Sequence, residues 1–219
     1  MRKLALFVGV VLAAFAGLAG AVELKEGQQY TVYRPAQPTE TKGRIEVTEF
    51  FWYGCGHCFT LEPLLVKWTK KLPKDVVVRR VPAVFPGRDG APGQWAPGAK
   101  LYYTLEIMGL LDKLHEDVFY AVQVDRIRLI NDDQVLFDWM AKKGVDARKF
   151  ADIYNSFAIQ SRVRRSMQLS EAHGLDGVPA LIVDGRYKPS SGAGGSYGDT
   201  LVVVDQLIDM ARKDRAANK

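Results

Sequence analysis

Hydrophobic and polar positions change period along the 219-residue chain, and the changes divide it into blocks. Residues 28–33 (QQYTVY), 44–53 (RIEVTEFFWY) and 75–81 (DVVVRRV) are rich in β-branched and aromatic side chains, the composition of strands. Between the second and third, Cys58, Leu61, Leu65, Trp68 and Leu72 recur every three or four residues. That spacing predicts a helix over about 56–72 with these side chains on one face. Two more strands are predicted at 180–183 and 186–188. They are joined by Asp184-Gly185, a pair suited to the positive φ angles of a two-residue type I′ hairpin turn.

From about residue 92 to 173 no strand pattern appears. Pro97 suits the first turn of a helix, and Gly109 could end that helix. Asn131 or Asp132 could cap the next, which Gly144 would stop, and Asp146 could cap another. A longer helix from about 158 would end at Gly174. This block predicts an inserted helical subdomain of four or five helices. A last helix is predicted over about 200–212, after a glycine-rich loop (SGAGGSYG) that lacks the Gly-Lys-Ser/Thr continuation of a phosphate-binding loop.

The N-terminus has a different pattern. Arg2 and Lys3 precede an uncharged apolar run that ends in Ala19-Gly20-Ala21. This is the layout of a cleaved export signal over residues 1–21, with cleavage after Ala21. The run is short for a membrane span, and nothing later is long and apolar enough to be one. The protein is therefore expected to be periplasmic. Formal net charge is +5, and removing the leader's two basic residues leaves +3. That balance, with no basic run interleaved with aromatics, gives no reason to expect nucleic acid as a partner.

Both cysteines fall in one short stretch, Tyr53-Gly54-Cys55-Gly56-His57-Cys58-Phe59. As a structural staple the pair is poor, because a loop this small removes little entropy from the unfolded chain. A structural zinc site needs about four ligands. The other imidazoles, His115 and His173, lie in the helical block and are expected to face solvent or to cap helices, so no metal is expected. Haem attachment needs a histidine after the second cysteine, and Phe59 stands there. Redox chemistry remains. Cys55 ends a strand and opens a helix, where unpaired backbone N–H groups and the helix dipole favour an anion. Its pKa should fall, making it the attacking thiol, while Cys58, one turn further in on the apolar face, resolves. His57 could donate a hydrogen bond to the Cys55 thiolate.

Glu49 carries a second signal. Strand alternation puts it in one row with Ile45, Val47 and Phe51, an ionisable group at a core position. Two uses are open. It could exchange a proton with Cys58, or it could pair with Arg79 or Arg80 on the neighbouring strand. Val178-Pro179, just before a strand, is compatible with a cis peptide bond.

In combination, Glu49-Phe50-Phe51, Cys55-Gly56-His57-Cys58, Gly177-Val178-Pro179-Ala180 and the helical insertion resemble the thioredoxin superfamily, and within it the DsbA family of periplasmic thiol:disulfide oxidoreductases. The resemblance spans essentially the whole chain after the leader. It implies an α/β thioredoxin fold with a mixed central sheet. Residues 22–92 and 174–219 would form the thioredoxin-like domain and 93–173 the all-helical insertion. It also implies a dithiol oxidase that needs no cofactor beyond its Cys55–Cys58 disulfide. Cys55 would be the nucleophile, Glu49 the family's buried acid, and the backbone at Val178, before a cis Pro179, would pair with an extended substrate segment. The implied partners are reduced exported proteins and a membrane reoxidant resembling DsbB, with the enzyme itself a monomer. The family commonly has proline where this chain has Gly56, a position that tunes the thiolate. A periplasmic isomerase or reductase would use the same cysteines.

Overall fold

The structure is a computed structural model that describes residues 23–217. The predicted export signal at 1–21 lies outside these residues. The described elements run β1 (Tyr30–Val32), β2 (Ile45–Phe51), α1 (Gly56–Thr69), β3 (Val76–Pro82), α2 (Ala96–Ile107), α3 (Leu111–Gln123), α4 (Asp133–Lys142), α5 (Ala147–Tyr154), α6 (Phe157–Ala172), β4 (Ala180–Val183), β5 (Tyr187–Pro189) and α7 (Tyr197–Ala217). Five helices therefore lie between β3 and β4.

The strands form one mixed sheet in the order β1-β5-β4-β2-β3. β2 and β3 are parallel, with α1 as their crossover, and β4 runs antiparallel to β2. Every residue of β2 is buried, because this central strand is covered on both faces. On one face Ile45 and Val47 pack with Leu61 and Leu65 of α1 and with Val203, Val204 and Leu207 of α7. On the other, Phe50 joins Ile182 of β4 and Leu169 of α6. The insertion has its own core around Phe119, Leu136, Met140 and Phe150, and Phe51 and Tyr53 reach into it from the end of β2.

Local chemistry explains the boundaries. Asp132 accepts from the N–H groups of Gln134 and Val135 at the start of α4, and Asp146 accepts from Lys149 at the start of α5. Asp184 and Gly185 take φ of 53° and 64°, and the Arg186 N–H closes the turn on the Val183 carbonyl at 2.9 Å. A side chain at Gly185 would also run into the Gln37 carbonyl. α7 begins three residues before its predicted start, since Ser196 supplies an oxygen to the Asp199 N–H and thereby caps it.

Neither histidine of the helical block faces solvent. His115 is 5% exposed and packs among Phe51, Tyr53, Tyr102 and Phe119. The expectation of a solvent-facing or capping His115 fails because α3 turns it inward with Leu114, Val118 and Phe119. His173 does end α6, but buried, with its Nδ1 2.8 Å from the Leu169 carbonyl.

Candidate active site

The site begins with the end of β2. The chain turns through Tyr53-Gly54 and enters α1 with Cys55 as the residue capping the helix (φ −94°, ψ 114°). A capping side chain accepts from an N–H of the first turn, commonly through a serine, threonine or aspartate oxygen. Here a sulfur does so: the Cys58 N–H donates to Cys55 Sγ at 3.3 Å. As a thiol, Cys55 donates to the Val178 carbonyl, also at 3.3 Å. That carbonyl belongs to a loop brought across from the far side of the insertion, and the Val178–Pro179 peptide bond is cis.

The two sulfurs differ as the spacing predicts. Cys55 is partly exposed and Cys58 is fully buried, and they are free thiols. The Cys55 pKa is lowered to about 6. The Cys58 thiol contributes most by donating to it, partial burial opposes, and the backbone N–H groups of Cys58 and His57 add to the effect. The Cys58 pKa is pushed far up, first by burial, then by the neighbouring sulfur, with the charge of Glu49 adding to the effect. An anion therefore resides on Cys55 and a proton on Cys58.

His57 is placed differently from the expected hydrogen bond. Its Nδ1 lies 2.8 Å from the Tyr197 hydroxyl at the start of α7, and its charge contributes least to the lowered Cys55 pKa. The thiolate is held mainly by the helix start and by Cys58. The Gly56 amide sits in the first turn, and a Cβ there would meet nothing closer than Gln123 Oε1 at 3.7 Å.

Beneath the cysteines lies a buried polar cluster. Glu49 and Arg80 are direct register partners on the parallel strands β2 and β3, so their side chains leave the sheet on the same face. Arg80 Nε donates to Glu49 Oε2 at 3.0 Å, and its Nη2 donates to Glu62 Oε1 at 2.6 Å. Of the two arginines considered as partners of Glu49, Arg79 points to the opposite face, where it meets Glu40 at 3.0 Å and Glu46 at 3.9 Å. One guanidinium thus serves two buried carboxylates, and they do not titrate alike. Burial, together with the charge of Glu62, raises the Glu49 pKa to about 7 against the pull of Arg80. The Glu62 pKa falls despite burial because His115 and Arg80 both face it. His115 Nε2 is 3.6 Å from Glu62 Oε2, and His115 Nδ1 is 2.8 Å from the Tyr53 hydroxyl. Burial lowers the His115 pKa, so the neutral ring can accept from Tyr53 and turn its Nε2–H toward Glu62.

Sequence reasoning passed over Glu62 and Tyr197 and read His115 as solvent-facing or capping. Glu62 had the same signal as Glu49: it stands four residues after Cys58, on the buried stripe of α1. His115 had a comparable one, within the apolar face of α3. Tyr197 has no local signal, since it meets His57 across 140 residues.

A groove of about 560 Å³ opens beside the pair, lined among others by His57, Leu61, Val178, Pro179, Lys188 and Tyr197. A strand-to-helix redox pair facing a cis-proline loop across a mixed sheet defines a dithiol–disulfide enzyme of the thioredoxin class. Comparison with known proteins narrows the class. Residues 46–202 match the family model described as a DSBA-like thioredoxin domain. The thiol:disulfide interchange protein DsbA of Bordetella parapertussis is 42% identical over 209 residues, covering 95% of this chain and 96% of that protein. The protein of the same name from Pseudomonas aeruginosa is 37% identical over 220 residues, covering 100% of both. The crystal structure of Pseudomonas aeruginosa DsbA superimposes with a TM-score of 0.78 at 37% identity, over 88% of this chain and 96% of that one. The chain belongs to the DsbA family, and it is a thiol:disulfide oxidoreductase.

Proposed function

We propose that the protein oxidises newly exported proteins by donating a Cys55–Cys58 disulfide to them. The observation that carries this direction is the pairing of a stabilised thiolate on partly exposed Cys55 with a fully buried Cys58. A substrate thiolate attacks Cys55 Sγ, forming a mixed disulfide. The Cys55–Cys58 bond breaks, and its electron pair goes to Cys58, which takes up a proton. A second substrate thiolate then attacks the substrate sulfur of the mixed disulfide, and Cys55 leaves as a thiolate. Two substrate thiols lose two electrons, which the enzyme retains as its dithiol. A low Cys55 pKa favours both departure and the reduced enzyme, so the equilibrium runs toward substrate disulfides.

Each remaining residue has a role in this scheme. Glu49, with a pKa of about 7, is suited to supply and recover the Cys58 proton. The Val178 backbone before Pro179 would align an extended substrate segment by strand addition, which tolerates many sequences. Gly56 shapes the helix start that holds the thiolate, and His57 adds a nearby imidazole. Residues 22–92 and 174–219 would act as the redox domain and 93–173 as its cover. The pattern at residues 1–21 supports export to the periplasm, where reduced client proteins and a DsbB-like membrane reoxidant would be the partners. The cysteine pair supplies the redox chemistry without a further cofactor.

Equilibration with a glutathione buffer, alongside assays on reduced and on scrambled client proteins, tests the proposal. An oxidant gives a potential well above thioredoxin's and acts faster on the reduced client. A potential near thioredoxin's, or activity confined to the scrambled client, would reject it.

A further inference from the structure

Tyr197 has not entered the redox scheme, yet it touches the site. It is the first residue of α7, and its hydroxyl lies 2.8 Å from His57 Nδ1. The two rings meet at the tip, with centroids 6.4 Å apart and planes inclined at 58°, so the contact is a hydrogen bond and not a stack. Cys55 and Cys58 lie close enough for their charges to raise the Tyr197 pKa, after the larger effect of burial.

The placement of Tyr197 is built into the glycine-rich loop. Ser196 Oγ accepts from the Asp199 N–H at 3.2 Å and donates to Asp199 Oδ2 at 2.6 Å. Thr200 Oγ1 lies 3.0 Å from both the Ala193 and the Ser196 carbonyls. Gly194, at φ 84°, approaches α7 so closely that a Cβ there would sit 2.4 Å from Asp199 Cβ. The loop is wound onto the helix start, which fixes the phenol beside His57. Val178 and Pro179 line the same groove as Tyr197.

We propose that Tyr197 is a positioning and specificity-determining residue: it tethers the His57 imidazole and forms part of the wall of the groove that Val178 and Pro179 also line. This rests on the oxidoreductase reading above. An extended polypeptide aligned on the Val178 backbone would fill the groove that Tyr197 lines, whereas a small dithiol reaches the partly exposed sulfur without filling it. Tyr197 therefore favours polypeptide substrates over small thiols, and its hydroxyl keeps the imidazole aligned with the groove wall.

Two variants separate wall from tether. Tyr197→Ala removes the ring. Its KM for a reduced peptide should rise about tenfold with a much smaller change in kcat, and the ratio of peptide to dithiothreitol kcat/KM should fall correspondingly. Tyr197→Phe keeps the wall and removes the tether. Its peptide KM should stay close to wild type, while the His57 ring-nitrogen NMR signals and the pH profile of the Cys55 thiolate should move. An unchanged peptide KM and selectivity ratio in Tyr197→Ala, or unmoved His57 signals in Tyr197→Phe, would overturn the proposal while leaving the redox reading intact. A wild-type protein that fails to oxidise the peptide would overturn the redox reading and this inference together.

Discussion

The backbone N–H of Cys58 points at Cys55 Sγ across 3.3 Å, so the sulfur proposed as the nucleophile is also the cap of its own helix. Charge on this sulfur and the integrity of the first turn of α1 are coupled. Oxidation removes the charge from the cap and ties it to Cys58.

The first expected outcome concerns pH. Thiolate ultraviolet absorbance of the reduced protein should titrate with a midpoint of about 6. The folded pKa lies below the ~8.5 of an unfolded thiol, so the stabilisation of the reduced fold is complete above ~8.5. It is lost as pH falls through about 6. Unfolding of the reduced and oxidised forms across this range should show the reduced form gaining with rising pH. A midpoint near the free-thiol value would show that the helix start does not hold the anion.

Glu49 works in the opposite direction. Its folded pKa of about 7 lies above the ~4.3 of an unfolded glutamate. The fold therefore carries no penalty from this group below ~4.3 and the full penalty above about 7, on the order of a few kcal/mol. Glu49→Gln should consequently gain stability over wild type as pH rises from acid to mildly alkaline, measured by urea unfolding of the reduced proteins. A pH-independent difference would show that folding leaves the Glu49 pKa unshifted.

Arg80 holds Glu49 and Glu62 together, with both carboxylates buried. Arg80→Met should destabilise the fold by roughly 3–5 kcal/mol at neutral pH, because it leaves two buried acids without a counter-charge. Adding Glu49→Gln should recover part of the loss, since the two residues are in contact. Denaturant midpoints of the single and double variants would check this; strictly additive losses would contradict the shared cluster.

Gly56 should tolerate proline. It is the first residue of α1, a position whose N–H has no intrahelical partner, and a Cβ there meets only Gln123 Oε1, at an ordinary contact distance of 3.7 Å. Cys55 before it already has the extended backbone that proline demands of its predecessor. Gly56→Pro should stabilise both redox forms by about 0.4–1 kcal/mol through a stiffer unfolded chain. Thermal unfolding would show this, and a loss of stability would mean that the helix start needs the glycine.

Legibility in the sequence followed the range of the interactions. The alternation in β2, the Asp-Gly hairpin, the caps Asp132 and Asp146 and the helix-start cysteine are set by neighbours a few residues apart. So is the unequal burial of Cys55 and Cys58, because three residues of helix turn the second thiol inward. The same local rules flagged Glu49 as a core acid. Its partner could not be chosen between Arg79 and Arg80, because that choice depends on the β2–β3 register. Glu62 and His115 were visible as polar residues on apolar helix faces, but their joint meaning appears only when α1, α3 and β3 converge on one guanidinium and one imidazole. His57 shows the remaining limit. Its place in the motif suggested a bond to the neighbouring thiolate, and tertiary structure gave its Nδ1 a phenol 140 residues away instead. The sequence alone determined the redox pair and its asymmetry, since both arise within one strand-to-helix turn. Packing decided which charges share a buried site and what meets the His57 imidazole, because those contacts exist only once distant elements close on one another.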